Sequence, residues 1–312
     1  MSKVVGIGAA LLDLLAQVDS FPIEDTKKQA ISVRFQGGGP CATALVALQK
    51  LDVETQYIGA VGDDMPGAYI IDEFNRYGVD TSLVSIVPAE SSSTAVVLSA
   101  IASSTRTVVW AAGSAPAPQW SPAIEAALDA ADILHLDGNH LSFAIEAAQY
   151  MHSKNKLVSH DAGGLYPNIE DLLPHIDILI PSEEFACGLS GHSDIVKAAL
   201  YLQERYCPKV LVITQGKKGG VYYDRDHGVV DSYPAFAVEV VDTNGAGDVF
   251  HGAFLAATLK GLAIEDACVF ASAVSALKCT VFGAREGIPS ISDTLRFLEE
   301  RGVSVFFKQG SK

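Results

Sequence analysis

The sequence predicts an α/β fold built on a mostly parallel, doubly wound sheet, with a small β-sheet lid added to it. Three observations carry this. From 123 onward, helical and strand patterns alternate: helix 123–130, strand 133–136, helix 142–153, strand 157–159, helix 168–173, strand 176–180, helices 182–189 and 193–205, and strand 210–214. Two β-rich stretches, about 11–35 and 90–111, stand outside that alternation, and a second small sheet folded over a cleft accounts for both. Polar turns follow the strands: Asp137-Gly138-Asn139, Asp161, Ser182-Glu183-Glu184, Thr214-Gln215-Gly216 and the run from Asp242 to Asp248. These are the carboxyl ends, where open parallel sheets bind ligands.

In chain order, 3–8 and 11–18 read as strands, the second ended by Ser20-Phe21-Pro22. Gly6 and Gly8 begin a dinucleotide fingerprint, but Leu11 stands where its third glycine belongs and no helical pattern follows. Asp13 interrupts an apolar run, so its carboxylate needs a partner; sugar hydroxyls or a capped turn would serve equally. Residues 30–35 alternate as a strand that Gly37-Gly38-Gly39-Pro40 breaks, and 41–51 has the spacing of a core-facing helix. That triple glycine is either a tight turn or a place where backbone amides meet a ligand. Strand 57–61 leads through Asp63-Asp64, a helix cap in preference to a metal pair, into helix 68–77. The runs 95–98 and 107–110 form a hairpin about Ser103-Ser104-Thr105-Arg106, and 219–223 and 229–238 form another. The whole chain, 1–312, reads as one domain carrying the two lid insertions.

Composition narrows the function. Net charge is −15, and no basic cluster exceeds the pairs Lys27-Lys28 and Lys217-Lys218, which argues against nucleic-acid or anionic-membrane surfaces. No apolar run approaches the ~20 residues of a bilayer span, and the Asp within the first 18 residues argues against a signal peptide. The cysteines (41, 187, 207, 268, 279) are odd in number and show no C-x-x-C spacing, which suits a soluble protein of the reducing cytoplasm. No histidine pair has metal spacing. His135 and His140 flank a strand end, and His251 follows Asp248 by one helical turn.

The most informative stretch runs from Val240 to Phe254. A β-branched pair enters a Gly-rich turn, which opens into an apolar helix. Glycines 245 and 247 let the backbone approach a ligand, and the helix start adds positive dipole, so the turn suits an anion. A carboxylate at that mouth, Asp248, would repel the anion in a purely binding site. It makes sense as a base that takes the proton of a hydroxyl attacking a phosphate.

Asp242-Thr243-Asn244-Gly245-Ala246-Gly247-Asp248 resembles the D-T-x-G-A-G-D motif of the ribokinase-like PfkB carbohydrate kinases. Gly38-Gly39 with its following helix is similar to their di-glycine motif, and the run from Ile58 to Gly67 also fits. The resemblance implies a ribokinase-like α/β/α sandwich with a β lid, ATP and Mg2+ as cofactors, and γ-phosphoryl transfer to a sugar hydroxyl. By position it makes Asp248 the base and the amides of Gly245, Ala246 and Gly247 the anion hole. Asp13, Gly38 and Gly39 would hold the sugar, with Thr214, Gly216, Thr243 and Gly283 toward the nucleotide. It also implies K+ or another monovalent cation near Asp242 and Gly283-Ala284.

Two departures bear on specificity. The Asn that follows the di-glycine motif in the family is Thr43 here, and N-x-x-E becomes Ser182-Glu183-Glu184-Phe185. Metal binding then falls to Glu183, water or the phosphates. The segments around Cys41 and from Ala276 to Pro289 are similar to the branch that contains sulfofructose kinase. Lys27 in the lid suits an acidic sugar substituent, whereas Asn139 brings no charge to another strand end. An acidic-sugar kinase and a nucleoside kinase of the same fold are the alternatives, and a non-catalytic nucleotide-binding regulator is a third. An open lid edge favours a homodimer through the lid.

Overall fold

A computed structural model describes residues 2–103, 105–305 and 307; Ser104, in the expected hairpin link, lies outside the described residues. The main sheet contains β1 (Lys3–Ile7), β4 (Glu54–Gly62), β5 (Asp80–Val87), β8 (Ile133–Leu136), β9 (Leu157–Ala162), β10 (Ile178–Pro181), β11 (Val210–Thr214), β12 (Gly220–Asp224) and β13 (Val229–Tyr233). Their order is β13-β12-β11-β10-β9-β8-β1-β4-β5. Every pairing from β11 to β5 is parallel, and the β11-β12-β13 edge is antiparallel. The chain leaves β1 toward β4 and returns on its other side at β8, so the strand order reverses at β1. That reversal opens a crevice at the carboxyl ends of β1 and β8.

Strand residues alternate between two cores because successive side chains leave opposite faces. Val4, Tyr57, Ile178, Ile180 and Val212 face one core, and Val5, Ile58, Leu179, Leu211 and Ile213 the other. The first is covered by α1 (Pro40–Lys50), α2 (Met65–Tyr77), α7 (Ala246–Leu259), α8 (Ile264–Lys278) and α9 (Ile291–Glu299). The second is covered by α3 (Pro122–Ala130), α4 (Leu141–Ser153), α5 (Glu183–Ser190) and α6 (Ile195–Tyr206). The result is the expected α/β/α sandwich. Gly252 of α7 packs so closely on Ala44 of α1 that a Cβ would strike its carbonyl. Two glycine-led helices therefore run side by side.

β2 (Leu11–Val18), β3 (Ser32–Gly38), β6 (Thr94–Ala100) and β7 (Thr105–Ala111) form a separate sheet in the order β3-β2-β6-β7. This is the second sheet expected from the two insertions. β2 and β6 pair in parallel although 94 follows 18 by a long excursion through the main sheet.

Several element boundaries differ from expectation. The strand β3 continues through Gly38, because its ladder with β2 reaches Leu11↔Gly38, and the glycines do not break it. The expected helix 168–173 is two 3-10 turns, Ile169–Asp171 and Leu173–His175, which meet at Leu172; Pro174, inside the second turn, has no N–H to continue a helical ladder. The strand expected to reach 238 stops at Tyr233, before Pro234. Val240 and Val241 pair with no strand; Val241 N–H instead donates to the carbonyl of Cys279. Asp64 caps α2 by accepting from Gly67 N–H, as its position predicts.

Candidate active site

The 242–245 turn meets α7 at Gly245, whose φ of 73° is left-handed and whose missing Cβ leaves room for Ala284. At Gly247 the space where a side chain would stand is empty. The first-turn N–H groups of α7 thus border open volume, the arrangement that binds anions. Asp248 is only partly exposed, and its carboxyl is pushed up to about 6. Burial is the main cause and the Asp161 charge adds to it, while His251 and Arg106 oppose it.

Asp13 faces the same region from β2. Burial is the main cause that raises its carboxyl to about 7 and the Asp248 and Glu73 charges add to the rise, while Arg285 and the nearby Asn244 side chain oppose it. Gly38 pairs with Leu11, two residues along β2 from Asp13, and a Cβ there would collide with the Asp13 carboxylate, while one on Gly39 (φ 100°) would strike the carbonyl of Ala9. The glycines therefore bring the N-terminus of α1 against β1 and β2. Asp137, at the end of β8, ties this corner together: Oδ2 accepts from Ala9 N–H (2.7 Å) and Cys41 N–H (3.1 Å). Its Oδ1 accepts from the backbone and side chain of Asn139, both at 3.0 Å. The amide nitrogen of Asn139 is thus engaged within its own turn.

Thr43 is enclosed, 1 % exposed, and its hydroxyl accepts from Arg285 Nε at 3.3 Å. The hydroxyl expected to meet a sugar thus also contacts a buried guanidinium. Arg285 (2 % exposed) pairs with Glu73 (3 %) and donates to the carbonyl of Gly38. Lys27 is exposed on the segment joining β2 and β3, away from the buried groups.

Beside α7, a cleft of about 340 Å³ is lined by Thr214, Gly216, Thr243, Ala246 and Gly247, with apolar walls that include Phe236 and Val238. It has the size and lining of a nucleotide site. Gly283 is not among its lining residues; its N–H donates to Asp242 Oδ2 at 2.9 Å and it abuts Arg34 and Gln36. Glu183 lies at the rim, where Gln215 (2.8 Å) and Lys218 (3.3 Å) hold its carboxylate. Among the described residues, no group of three or more His, Cys, Asp or Glu side chains converges as a metal site.

Two more groups have partners that the sequence does not reveal. Arg106, on the outermost strand of the second sheet, reaches Thr243 Oγ1 at 3.4 Å and so joins that sheet to the anion turn. Asp161 and His251 pair at 3.2 Å, both buried, behind Asp248. His251 was noted only for its spacing from Asp248, and its partner comes from another strand.

An anion turn, a carboxylate within electrostatic reach of a second one, and an apolar cleft leading to both are the parts of a kinase of the α/β type. The chain belongs to the pfkB family of carbohydrate kinases, whose model matches residues 1–291. It is 29 % identical to the ribokinase of Bacillus subtilis (strain 168), over 96 % of this chain and 100 % of that one. The structure of Arabidopsis thaliana ribokinase complexed with ribose and ATP superposes with a TM-score of 0.79 at 25 % identity, covering 95 % of this chain and 97 % of the other. An E. coli protein described as a ribokinase II, in complex with ATP and Mg2+, gives 0.82 at 25 % identity, covering 96 % and 100 %. No helix among the described residues is long and apolar enough to cross a membrane.

Proposed function

We propose that this protein transfers the γ-phosphoryl group of ATP to a hydroxyl of a small sugar, with Asp248 accepting the hydroxyl proton. The observation that carries this is the position of Asp248: it stands on the first turn of α7, next to the open space at Gly247 and close enough to Asp13 for the two charges to interact. The amides of Gly245, Ala246 and Gly247 then stabilise charge on the transferred group. Asp13, with the backbone at Gly38 and Gly39, holds sugar hydroxyls, and Thr214, Gly216 and Thr243 line the nucleotide. Most of the rate comes from alignment and exclusion of water as the second sheet covers the cleft.

Mg2+ would be held through phosphate oxygens and water, with Glu183, whose carboxylate Gln215 and Lys218 hold close to Thr214 and Gly216, as the candidate carboxylate, and when bound it would neutralise phosphate charge. Residues 1–312 act as one catalytic unit, with 11–35 and 90–111 serving as the lid. Its outer strand β7 exposes Val109 and Trp110, which supports a homodimer formed through the lid. An ADP-release screen over ribose, fructose, sulfofructose and nucleosides, with the product identified by mass, tests the reading. Release stimulated by a sugar and a product heavier by one phosphate are expected. Nucleotide binding without phosphorylation of any acceptor would favour a regulator and overturn it.

A further inference from the structure

Lys278 ends α8 fully buried, at 0 % exposure, where a helix-terminal lysine ordinarily reaches water. Its ammonium donates to the main-chain carbonyl of Asp242 at 2.9 Å, the residue that begins the anion turn. Burial opposes its charge, and Cys279, Asp242 and Asp248 favour it, in that order, with Arg106 opposing. The same turn is gripped from the 278–283 segment throughout. Val241 and Asp242 N–H both donate to the carbonyl of Cys279, at 2.8 and 3.1 Å. Asp242 Oδ2 accepts from Gly283 N–H and Oδ1 from Asn244 N–H, each at 2.9 Å.

These residues do not fit the monovalent cation that the motif resemblance implies. A desolvated cation needs several free oxygens directed at it. Both carboxylate oxygens of Asp242 already accept backbone N–H bonds, its carbonyl accepts the ammonium, and Gly283 turns its N–H, not its carbonyl, toward the carboxylate.

We propose that Lys278 is a tethered cation that holds the anion turn in its binding shape, so that this enzyme needs no dissociable monovalent cation. The ammonium supplies at the turn the positive charge a bound ion would bring, and covalent attachment keeps it there at any salt composition. The inference rests on the kinase reading for the role of the turn. Its test therefore uses nucleotide binding without sugar, which reports on the turn even if no acceptor is phosphorylated.

The test measures binding of the non-hydrolysable analogue AMP-PNP with Mg2+, and thermal midpoint, in tetramethylammonium chloride. K+, Na+ or Cs+ replaces tetramethylammonium at constant ionic strength. For the wild type, affinity is expected to stay within about two-fold across all salts, and K+ to give no saturable rise in midpoint. Lys278→Met keeps the apolar stem, so it tests the charge with the packing preserved, and is expected to weaken AMP-PNP binding about ten-fold or more. Lys278→Ala opens a space in which methylammonium or K+ is expected to restore part of that loss. A K+-specific tightening of wild-type binding beyond about five-fold would overturn the proposal. So would wild-type affinity in a folded Lys278→Met. A merely structural lysine predicts a lower midpoint in Lys278→Met with unchanged affinity.

Discussion

The Arg285–Glu73 pair is the most exacting place to test how the sugar side of the cleft is held. Arg285→Met leaves Glu73 buried without its counter-charge, and breaking such a pair costs about 3–5 kcal/mol. The carbonyl of Gly38 and the hydroxyl of Thr43 lose their donor as well, about 1 kcal/mol each. Replacing both partners, Arg285→Met with Glu73→Met, removes the orphaned charge and leaves mainly the two lost hydrogen bonds. Its expected cost is therefore about 2 kcal/mol, less than that of the single Arg285→Met change. Urea unfolding midpoints at constant slope measure all three variants. Because Arg285 also lowers the Asp13 carboxyl and fixes Gly38, the double variant should show a raised KM for sugar with nucleotide affinity unchanged. A single-variant cost below about 1 kcal/mol, or strict additivity in the double, would refute the claim that the pair is a desolvated unit.

Other consequences are more local. Asp248 must be ionised to accept a proton, so kcat/KM should fall as pH drops through about 6, and a flat profile from pH 5 to 8 would contradict its role as base. Asp13 has a folded-state value of about 7, above its ordinary 3.8, so the folded protein holds a proton that the unfolded chain releases in that window. The corresponding stability is complete below about 4 and is lost as pH rises through about 7, and Asp13→Asn should flatten that slope in pH-dependent melting. Arg106→Ala, on a fully exposed strand, should change stability by less than about 0.5 kcal/mol yet lower turnover about ten-fold or more, because it removes a cation from the anion turn.

The sandwich and the second sheet were legible because their signals are local. Alternating strand and helix periods mark the first, and the β runs at 11–35 and 90–111 interrupt them. The anion turn was legible for the same reason, since its glycines and Asp248 are contiguous. β5 was missed because it lies at the sheet edge with a half-polar pattern, Asp80-Thr81-Ser82-Leu83-Val84-Ser85, and so lacks the apolar run of its inner neighbours. What reads as one short helix is two 3-10 turns meeting at Leu172, with Pro174 in the second unable to donate to a longer ladder. Arg285 and Glu73 are separated by 212 positions, and neither has a neighbour in sequence that announces burial. The motif aligns Thr43 with a substrate contact; only the fold shows the guanidinium that also reaches its hydroxyl. Lys278 looks like an ordinary basic C-terminus of a helix. Its one local hint is that the helix it ends, Ala271-Ser272-Ala273-Val274-Ser275-Ala276-Leu277, carries no other charge there.

The account rests on Asp248 as the base of a phosphoryl transfer, and Asp248→Asn tests it with the smallest change in shape. With ATP, Mg2+ and whichever sugar the wild type phosphorylates, the variant should keep its thermal midpoint and AMP-PNP affinity while turnover falls by about 10²–10⁴. Turnover within about ten-fold of wild type, in a variant that folds and binds nucleotide normally, would contradict the assignment.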